Sequence, residues 1–328
     1  MIFYNIQHFG DWTWTPWLLR MLADPGNQVL LTYDGSEEDV ARVAADVTRD
    51  APALKRLDVE RSLPVRWCGP SQVTMQIEAL RRALRRDGWE FFVNLSGTCT
   101  PLRSQAEIRR TFLDARAEGL NAHITAFAAR RPVVLPEEDP EAPVETRKRK
   151  RLVLRGNARL LDQFGEPGFF PQGNAHNRVF IRCGEPAEDR RVLEIARPDD
   201  DDIAFRQAYF AEFQHYCGRA WYTLHRSVCE ALVAFFDSPR FADTERAFLT
   251  CFEPDESFLP TILLNGMCVP AEQVSLQNFR THKGAQRKLD DQTFRDHLVD
   301  TPALFSRKVV HARAEDLRAF LEDRVAAR

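Results

Sequence analysis

The chain has 328 residues, of which 44% are hydrophobic and 28% charged, so it can bury a sizeable core and is not mainly disordered or fibrous. Its 45 basic and 48 acidic residues give a net charge of -3. This balance argues against a dedicated nucleic-acid-binding protein, whose affinity would rest on neutralising phosphates. No apolar run reaches transmembrane length, and the first residues lack a basic region followed by an apolar stretch. We therefore expect a cytoplasmic protein.

The cysteines and histidines predict neither disulfides nor a structural metal site. The seven cysteines are odd in number and form no CxxC pair, and a chain of this length does not need covalent stapling. The eight histidines form no HExxH or HxxxH pattern beside a cysteine pair. Reduced thiols and the absence of structural zinc are the expectation.

The first third of the chain alternates apolar β-type runs with helical patterns, which is typical of a parallel sheet built from βαβ units. The predicted strands cover residues 2–6, 29–34, 64–67 and 91–95. Helices are predicted at residues 12–22 and after Ser36, Ser71 and Ser104, the last opened by the capping box Ser104-Gln105-Ala106-Glu107. The order favours an α/β fold of the nucleotide-binding type.

A charged stretch at residues 131–155 interrupts this pattern and ends in the basic run Arg147-Lys148-Arg149-Lys150-Arg151. Such a run is usually a solvated loop; the alternative is contact with an anionic acceptor or a membrane surface. Later helices are predicted at residues 220–236, 255–264, 290–298 and near the end of the chain, with strands near Val274 and at 304–310. We expect residues 1–328 to form one domain, in which 1–130 is the nucleotide-binding part and 156–328 the acceptor and catalytic part.

The ends of the predicted strands are the first places to look for a ligand, because open α/β sheets bind ligands beyond the carboxyl ends of their strands. His8, Asp34 and residues 96–100 lie at such ends. Asp34 could accept hydrogen bonds from a ribose or a base. It could equally cap its own turn before Gly35, and the same alternatives apply to His8.

The segment around Cys99 contains no carboxylate between Asn94 and Pro101, where a metal-dependent sugar-nucleotide transferase usually has an Asp-x-Asp pair. The run Asp199-Asp200-Asp201-Asp202 precedes a helix, where acids favour the N-terminus. No metal site is predicted. Cys99 itself is expected to be a small buried residue rather than a nucleophile, because no histidine or asparagine motif accompanies it.

Asp255 and Glu256 are adjacent carboxylates at a predicted helix start after Pro254. Neighbouring helical residues point about 100° apart, so one carboxylate can face a cleft while the other caps the helix. A held, partly desolvated carboxylate suits a general base. Two acids stabilised by the helix dipole are the commoner explanation of such a pair.

Arg307 and Lys308 are two cations inside an apolar strand, where neighbouring side chains point to opposite faces. One of them must face inward, and a buried cation requires an anion. An internal salt bridge and a bound diphosphate fit equally well. Arg280 and Lys283 precede this strand and could contribute to the same anion site.

Five stretches of the chain together resemble the core-2/I-branching β-1,6-N-acetylglucosaminyltransferase and peptide O-xylosyltransferase family, which has bacterial members. They are Val65-Arg66-Trp67-Cys68-Gly69-Pro70-Ser71; Phe92-Val93-Asn94-Leu95-Ser96-Gly97 with Pro101-Leu102; Gly218-Arg219-Ala220-Trp221-Tyr222; Pro254-Asp255-Glu256-Ser257-Phe258; and Leu304-Phe305-Ser306-Arg307-Lys308. The stretches occur in the family's order and run across most of the chain.

The resemblance implies a GT-A-like glycosyltransferase with a Rossmann-like mixed sheet, which inverts configuration, needs no metal or other cofactor, and uses a UDP-sugar donor and a glycan acceptor. Carried over by motif, Glu256 resembles the general base and Lys308 a cation that faces the diphosphate. Arg307 and Arg280 join Lys308 as nucleotide-binding candidates.

The same resemblance places His8 and Asp34 at the nucleoside. The sugar and acceptor candidates are Ser96, Gly97, Trp221, Tyr222 and Asp255.

Two departures from the family pattern bear on these expectations. Cys99 stands where the family usually has an aspartate, which leaves open a non-catalytic carbohydrate- or nucleotide-binding module with the same fold. The chain also lacks the membrane anchor and the disulfide pattern of the animal enzymes. A bacterial pathway of surface polysaccharide or glycoconjugate synthesis is the better expectation, in the cytoplasm or peripherally at the inner membrane through residues 147–151.

Overall fold

The structure, a computed structural model, describes residues 1–10, 12–54, 56–65, 70–128, 200–249, 254–281, 301–307 and 318–323. Its α-helices are α1 Thr15–Leu22, α2 Glu37–Asp50, α3 Ser71–Leu84, α4 Gln105–Ala117, α5 Asp200–Glu212, α6 Arg226–Phe236, α7 Phe241–Leu249 and α8 Phe258–Leu264, with 3-10 turns at Pro254–Glu256 and Ala271–Gln273. Residues 318–323 are also helical.

The centre of the described residues is a seven-stranded mixed sheet in the order β10-β6-β9-β4-β1-β2-β3. Its strands are β1 Ile2–Phe9, β2 Gln28–Asp34, β3 Leu57–Arg61, β4 Phe91–Ser96, β6 Ala122–His123, β9 Thr223–His225 and β10 Val274–Ser275. Only β9 runs against its neighbours, β4 and β6, in this sheet; the other pairs are parallel. The predicted α/β class with a mixed sheet flanked by helices is confirmed.

Both faces of the central strands are buried, as their nearly continuous apolar sequences require. On β1, Ile2, Tyr4 and Ile6 pack into a core with α1, α2 and α4. Phe3 points to the opposite face, into a second core with α3, α6, α7 and α8. Alternating side chains of one strand therefore join the helices on both sides to the same sheet.

Two of the three serines predicted to cap helix N-termini do so. Ser36 and Ser104 each form a capping box, with Asp39 and Glu107 respectively. The prediction that Ser71 caps α3 is wrong, because the N-cap position is Pro70 and no side-chain hydrogen bond caps this helix. Proline has no side-chain hydrogen-bonding group, so this helix begins without a side-chain cap.

Two strand predictions need correction. The third strand of the sheet is β3, not residues 64–67, of which 64 and 65 lie outside any strand. β3 was missed because it is a charged edge strand that is only partly buried. The predicted helix at 220–236 begins only at Arg226, since residues 223–225 are inserted as β9 between β4 and β6.

Two smaller sheets pair early strands of the chain with later ones. β5 Thr100–Pro101 pairs with β12 Phe305–Ser306, which pairs with β11 Arg280–Thr281. β7 Ala126–Ala128 pairs with β8 Tyr216–Gly218. The pairing confirms the strand predicted at 304–310 as far as Ser306.

The predicted loop at 131–155 and the helix at 290–298 lie outside the described residues, so the single-domain division stays a prediction. None of the helices in the described ranges combines the length and the apolar composition needed to cross a bilayer. The four described cysteines, Cys99, Cys217, Cys229 and Cys268, are free thiols.

His123 on β6 predicts a pH dependence of folding. Burial lowers the pKa of its imidazole to about 4, the charge of Arg280 adds to this, and a hydrogen bond with the backbone of Gln277 opposes it. In the unfolded chain the His123 imidazole is protonated below about pH 6.5. In the folded chain it is protonated only below about pH 4. The free energy of unfolding should fall by about 3 kcal/mol as the pH drops through this window.

Urea unfolding of wild type and His123→Gln between pH 4 and 7 measures this contribution. Because the carboxylates titrate equally in both proteins, the difference between the two curves isolates His123. Parallel curves would contradict the expectation.

Candidate functional site

The sheet has a topological switch point between β1 and β4. From β1 the chain proceeds outward through β2 to β3, and it then places β4 on the other side of β1. Ligands of open α/β sheets bind at the carboxyl ends of strands at such a point, because the connecting loops diverge there and leave a crevice. Gln7 of β1 lies beside Ser96 of β4 in the register, so His8, Ser96 and Gly97 are placed at this crevice.

His8 packs closely against Gly97 at the ends of β1 and β4. A Cβ atom added at Gly97 would overlap the His8 imidazole, so only glycine permits this approach. The His8 ring is buried and lies 5.6 Å from the ring of Tyr33, measured between centroids. Asp34 ends β2 opposite Phe9. The structure therefore brings together the nucleoside candidates His8 and Asp34 at one edge of the sheet.

Cys99 is fully buried beside Ser96, as the sequence predicts. Its Sγ atom lies 3.3 Å from the backbone nitrogen of Ser96 and 3.3 Å from the Ser96 hydroxyl oxygen. The Ser96 hydroxyl is also within 3.1 Å of the Thr98 hydroxyl. The thiol thus takes part in shaping the turn that follows β4.

Asp255 and Glu256 diverge, as expected of adjacent carboxylates. They lie on the 3-10 turn Pro254–Glu256, which is separate from α8, so the helix predicted at 255–264 is divided in two. Asp255 is 6% exposed and accepts a 3.2 Å hydrogen bond from Nε2 of Gln72. The Glu256 side chain is 19% exposed, and its Oε1 lies 3.4 Å from Nη1 of Arg219. Asp255 is therefore buried, whereas Glu256 is partly exposed.

Arg307 directly follows β12 and is partly buried. Its guanidinium lies 4.2 Å from the centroid of the Trp221 ring, a cation–π contact. Burial lowers the pKa of Arg307, and the nearby carboxylates of Glu256 and Asp255 oppose that effect. Arg307 therefore shares a local electrostatic environment with both carboxylates. Lys308 lies outside the described residues.

Arg280 and Tyr222 occupy the interior behind this site. Nη2 of Arg280 donates to the backbone oxygens of Asn94 at 3.0 Å and Tyr222 at 3.1 Å, and Nη1 donates to Asn278 at 3.1 Å. Burial lowers the pKa of Arg280 to about 10. The Tyr222 ring stacks on Phe92 in the core, where burial raises the pKa of its hydroxyl. The roles of Arg280 at a diphosphate and of Tyr222 at a sugar stay predictions.

Two site residues were not identified from the sequence. Arg219 was quoted within the Gly218–Tyr222 stretch but was given no role, and its pairing with Glu256 depends on the turn after β8. Gln72 lies in the first turn of α3, 183 positions from its partner Asp255. No local pattern could have indicated either contact.

Comparison with known proteins gives one family match. The model of the Core-2/I-Branching enzyme family matches residues 3–127. This segment contains β1 to β6 and the crevice residues His8, Asp34, Ser96 and Gly97. Glu256 and Arg307 lie beyond it. No curated protein sequence matches the chain.

Solved structures show a weaker likeness. S. aureus TarS is 17% identical, with a TM-score of 0.28, and the alignment covers 42% of this chain and 24% of that one. TarS 1-349 in complex with UDP has the same identity and TM-score, with 40% of its chain covered. A CMP:2-keto-3-deoxy-manno-octonic acid synthetase complexed with CTP is 11% identical with a TM-score of 0.27, covering 74% of this chain and 81% of that one. The alignments thus span less than half of the TarS chains.

Gly97→Ala should destabilise the fold, because the new methyl group must displace the buried His8 imidazole. Overpacking of this kind costs about 1–3 kcal/mol, measurable by urea unfolding. A double-mutant cycle with His8→Ala supplies the control: removing the imidazole should recover most of the loss. Additive effects of the two substitutions would show that their contact does not limit stability.

Proposed function

We propose that this chain is a glycosyltransferase of the core-2/I-branching type, which moves a sugar from a UDP-sugar to a hydroxyl group of a glycan or glycoconjugate. The observation that carries the proposal is the family match over residues 3–127. The geometry supports it, because this segment builds a switch-point crevice and a separate carboxylate pair lies on the 3-10 turn Pro254–Glu256. Arg307 interacts electrostatically with both carboxylates of this pair.

Glu256 is the proposed general base. It is only partly exposed, and its Oε1 lies 3.4 Å from Nη1 of Arg219. In a single in-line displacement, Glu256 takes the proton of the acceptor hydroxyl as that oxygen bonds to the anomeric carbon. The bond from this carbon to UDP breaks, so the configuration inverts. A positioned carboxylate contributes to such a step by removing the proton in the transition state.

Negative charge grows on the diphosphate as UDP leaves. In the metal-independent mechanism proposed here, Lys308 with Arg307 and Arg280 supplies the compensating positive charge, which acts most strongly in a water-excluded site. The absence of a carboxylate from the segment between Asn94 and Pro101 motivates this proposal. His8 and Asp34 are proposed to bind the nucleoside.

The sugar and acceptor candidates fall into two groups. Ser96 and Gly97 lie at the end of β4, whereas Trp221 and Tyr222 precede β9 and Asp255 lies on the 3-10 turn Pro254–Glu256. The donor sugar is proposed to be of the GlcNAc or xylose type. The proposed setting is bacterial surface polysaccharide synthesis in the cytoplasm, with residues 147–151 as a peripheral contact to an anionic inner membrane.

Glu256→Gln tests the base. The substitution keeps the shape and removes the basicity, so turnover with a UDP-sugar and a glycan acceptor should fall by about 10²–10⁴-fold. UDP affinity should change little. Release of UDP measures turnover, and a thermal-shift titration with UDP measures binding.

Glu230→Gln is the matched control, because Glu230 lies on α6 in an ion pair with Arg226. Unchanged turnover in Glu256→Gln would reject the assignment of the base. Wild-type protein that binds UDP or glycan but releases no UDP with any acceptor would favour the non-catalytic binding module instead.

Lys308→Ala and chelation test the source of positive charge. Loss of a charge-assisted contact to the diphosphate should weaken UDP binding about tenfold or more, with Lys55→Ala as the control.

EDTA should leave transfer intact. If EDTA abolished transfer and Mn²⁺ or Mg²⁺ restored it, the metal-independent mechanism would be wrong.

A further inference from the structure

Three consecutive backbone carbonyls between β8 and β9 accept hydrogen bonds from side chains in other parts of the chain. Residues 219–222 form no strand or helix, yet the last three of them are at most 6% exposed. Buried backbone groups outside regular structure need hydrogen-bond partners from elsewhere. The donors are the side-chain nitrogens of Asn94, Asn278 and Arg280, which lie 2.7 Å, 2.8 Å and 3.1 Å from the oxygens of Ala220, Trp221 and Tyr222 respectively.

The same segment carries contacts to both groups that the proposed reaction requires. Nη1 of Arg219 lies 3.4 Å from Oε1 of Glu256, the proposed base. Two residues later, the centroid of the Trp221 ring lies 4.2 Å from the guanidinium of Arg307, a proposed diphosphate cation. A displacement of the Trp221 backbone would therefore move the ring on which Arg307 packs. It would also move the nearby residue that pairs with Glu256.

Asn278 makes the side-chain hydrogen bond to the backbone of Trp221. Its Nδ2 donates to the Trp221 backbone oxygen at 2.8 Å and to the Thr125 hydroxyl at 3.0 Å, and its Oδ1 accepts from Nη1 of Arg280 at 3.1 Å. A carbonyl oxygen only accepts and a guanidinium only donates, so these partners determine which end of the amide faces each of them. Because both ends of the amide are used, the side chain is fixed in one orientation.

We propose that Asn278 is a positioning residue of the transfer site. It holds the backbone of Trp221, and through that backbone it places the ring against Arg307 and the segment whose Arg219 pairs with Glu256. The inference rests on the proposed glycosyltransferase function and adds to it a residue that acts through others. A displacement of about 1 Å at reacting groups can lower turnover about 100-fold, so a hydrogen bond that only orients this segment can control the rate.

Asn278→Asp is the principal variant. The carboxylate keeps the size of the side chain and can still accept from Arg280, but it cannot donate to the Trp221 carbonyl. UDP affinity, measured by isothermal titration calorimetry, should fall about fivefold. The kcat for UDP release from UDP-GlcNAc or UDP-xylose should fall about 10- to 100-fold. Asn278→Ala should show both losses without adding a charge.

Asn265→Asp is the matched control, because it breaks a similar set of amide hydrogen bonds elsewhere. Nδ2 of Asn265 donates to the backbone oxygens of Gln214 and Thr261, each at 2.8 Å, and its Oδ1 accepts from the Gln214 backbone nitrogen at 2.9 Å. Asn265 follows α8, at the opposite end of this helix from the 3-10 turn Pro254–Glu256. The control should lose stability in urea, but its UDP affinity and kcat should stay within about twofold of wild type.

The indole N–H signal of Trp221 in ¹⁵N-labelled protein reports the position of the segment by NMR. Trp221→Phe identifies this signal by its loss. The signal should move in Asn278→Asp and Asn278→Ala and stay in place in Asn265→Asp, because only the first two variants release the Trp221 backbone. This measurement requires neither UDP nor transfer.

Two results would overturn the inference: a Trp221 signal that is unchanged in both Asn278 variants, or a UDP affinity and kcat in these variants that equal those of Asn265→Asp. Failure of the proposed function looks different. In that case wild type itself binds no UDP and releases none from either UDP-sugar, while the Trp221 signal still moves in the Asn278 variants.

Discussion

The buried guanidinium of Arg280 connects the late part of the chain to the central sheet. It donates to the backbone oxygens of Asn94 on β4 and of Tyr222 before β9, and it lies 5.3 Å from the centroid of the Phe305 ring. Removing a charge from water is costly unless hydrogen bonds replace the lost solvation. These hydrogen bonds join β11 to β4. The pairing of β12 with β11 then places Arg307, the residue after β12, in the same part of the fold.

A second constraint is the close packing of the strand ends. Only glycine at position 97 allows the turn after β4 to approach His8, and the thiol of Cys99 fills the inside of the same turn. Different kinds of contact therefore hold the crevice and the carboxylate pair in place. At the crevice the support is the close approach of two strand ends; at the carboxylate pair it is the ion pair between Arg219 and Glu256 and the cation–π contact between Arg307 and Trp221.

The sequence was most informative where local physics decides the structure. The buried strands β1, β2 and β4 were recognised from apolar runs, and the capping boxes at Ser36 and Ser104 from short-range side-chain chemistry. It failed at β3 and β9, because an edge strand needs few apolar residues and a three-residue strand gains its stability from neighbours far away in the chain. Strand propensity depends on this tertiary context.

By itself, the sequence determined the α/β class and the strand ends that carry His8, Asp34, Ser96 and Gly97. It also determined that Asp255 and Glu256 point in different directions. These features follow from periodicity and helical geometry, which are local properties of the chain. Only the tertiary structure decided that Gln72 holds Asp255, that Arg219 pairs with Glu256 and that Arg307 stacks on Trp221. These contacts join segments separated by 37 to 183 positions. Their partners are selected by burial and charge compensation in the folded chain, which no local pattern encodes.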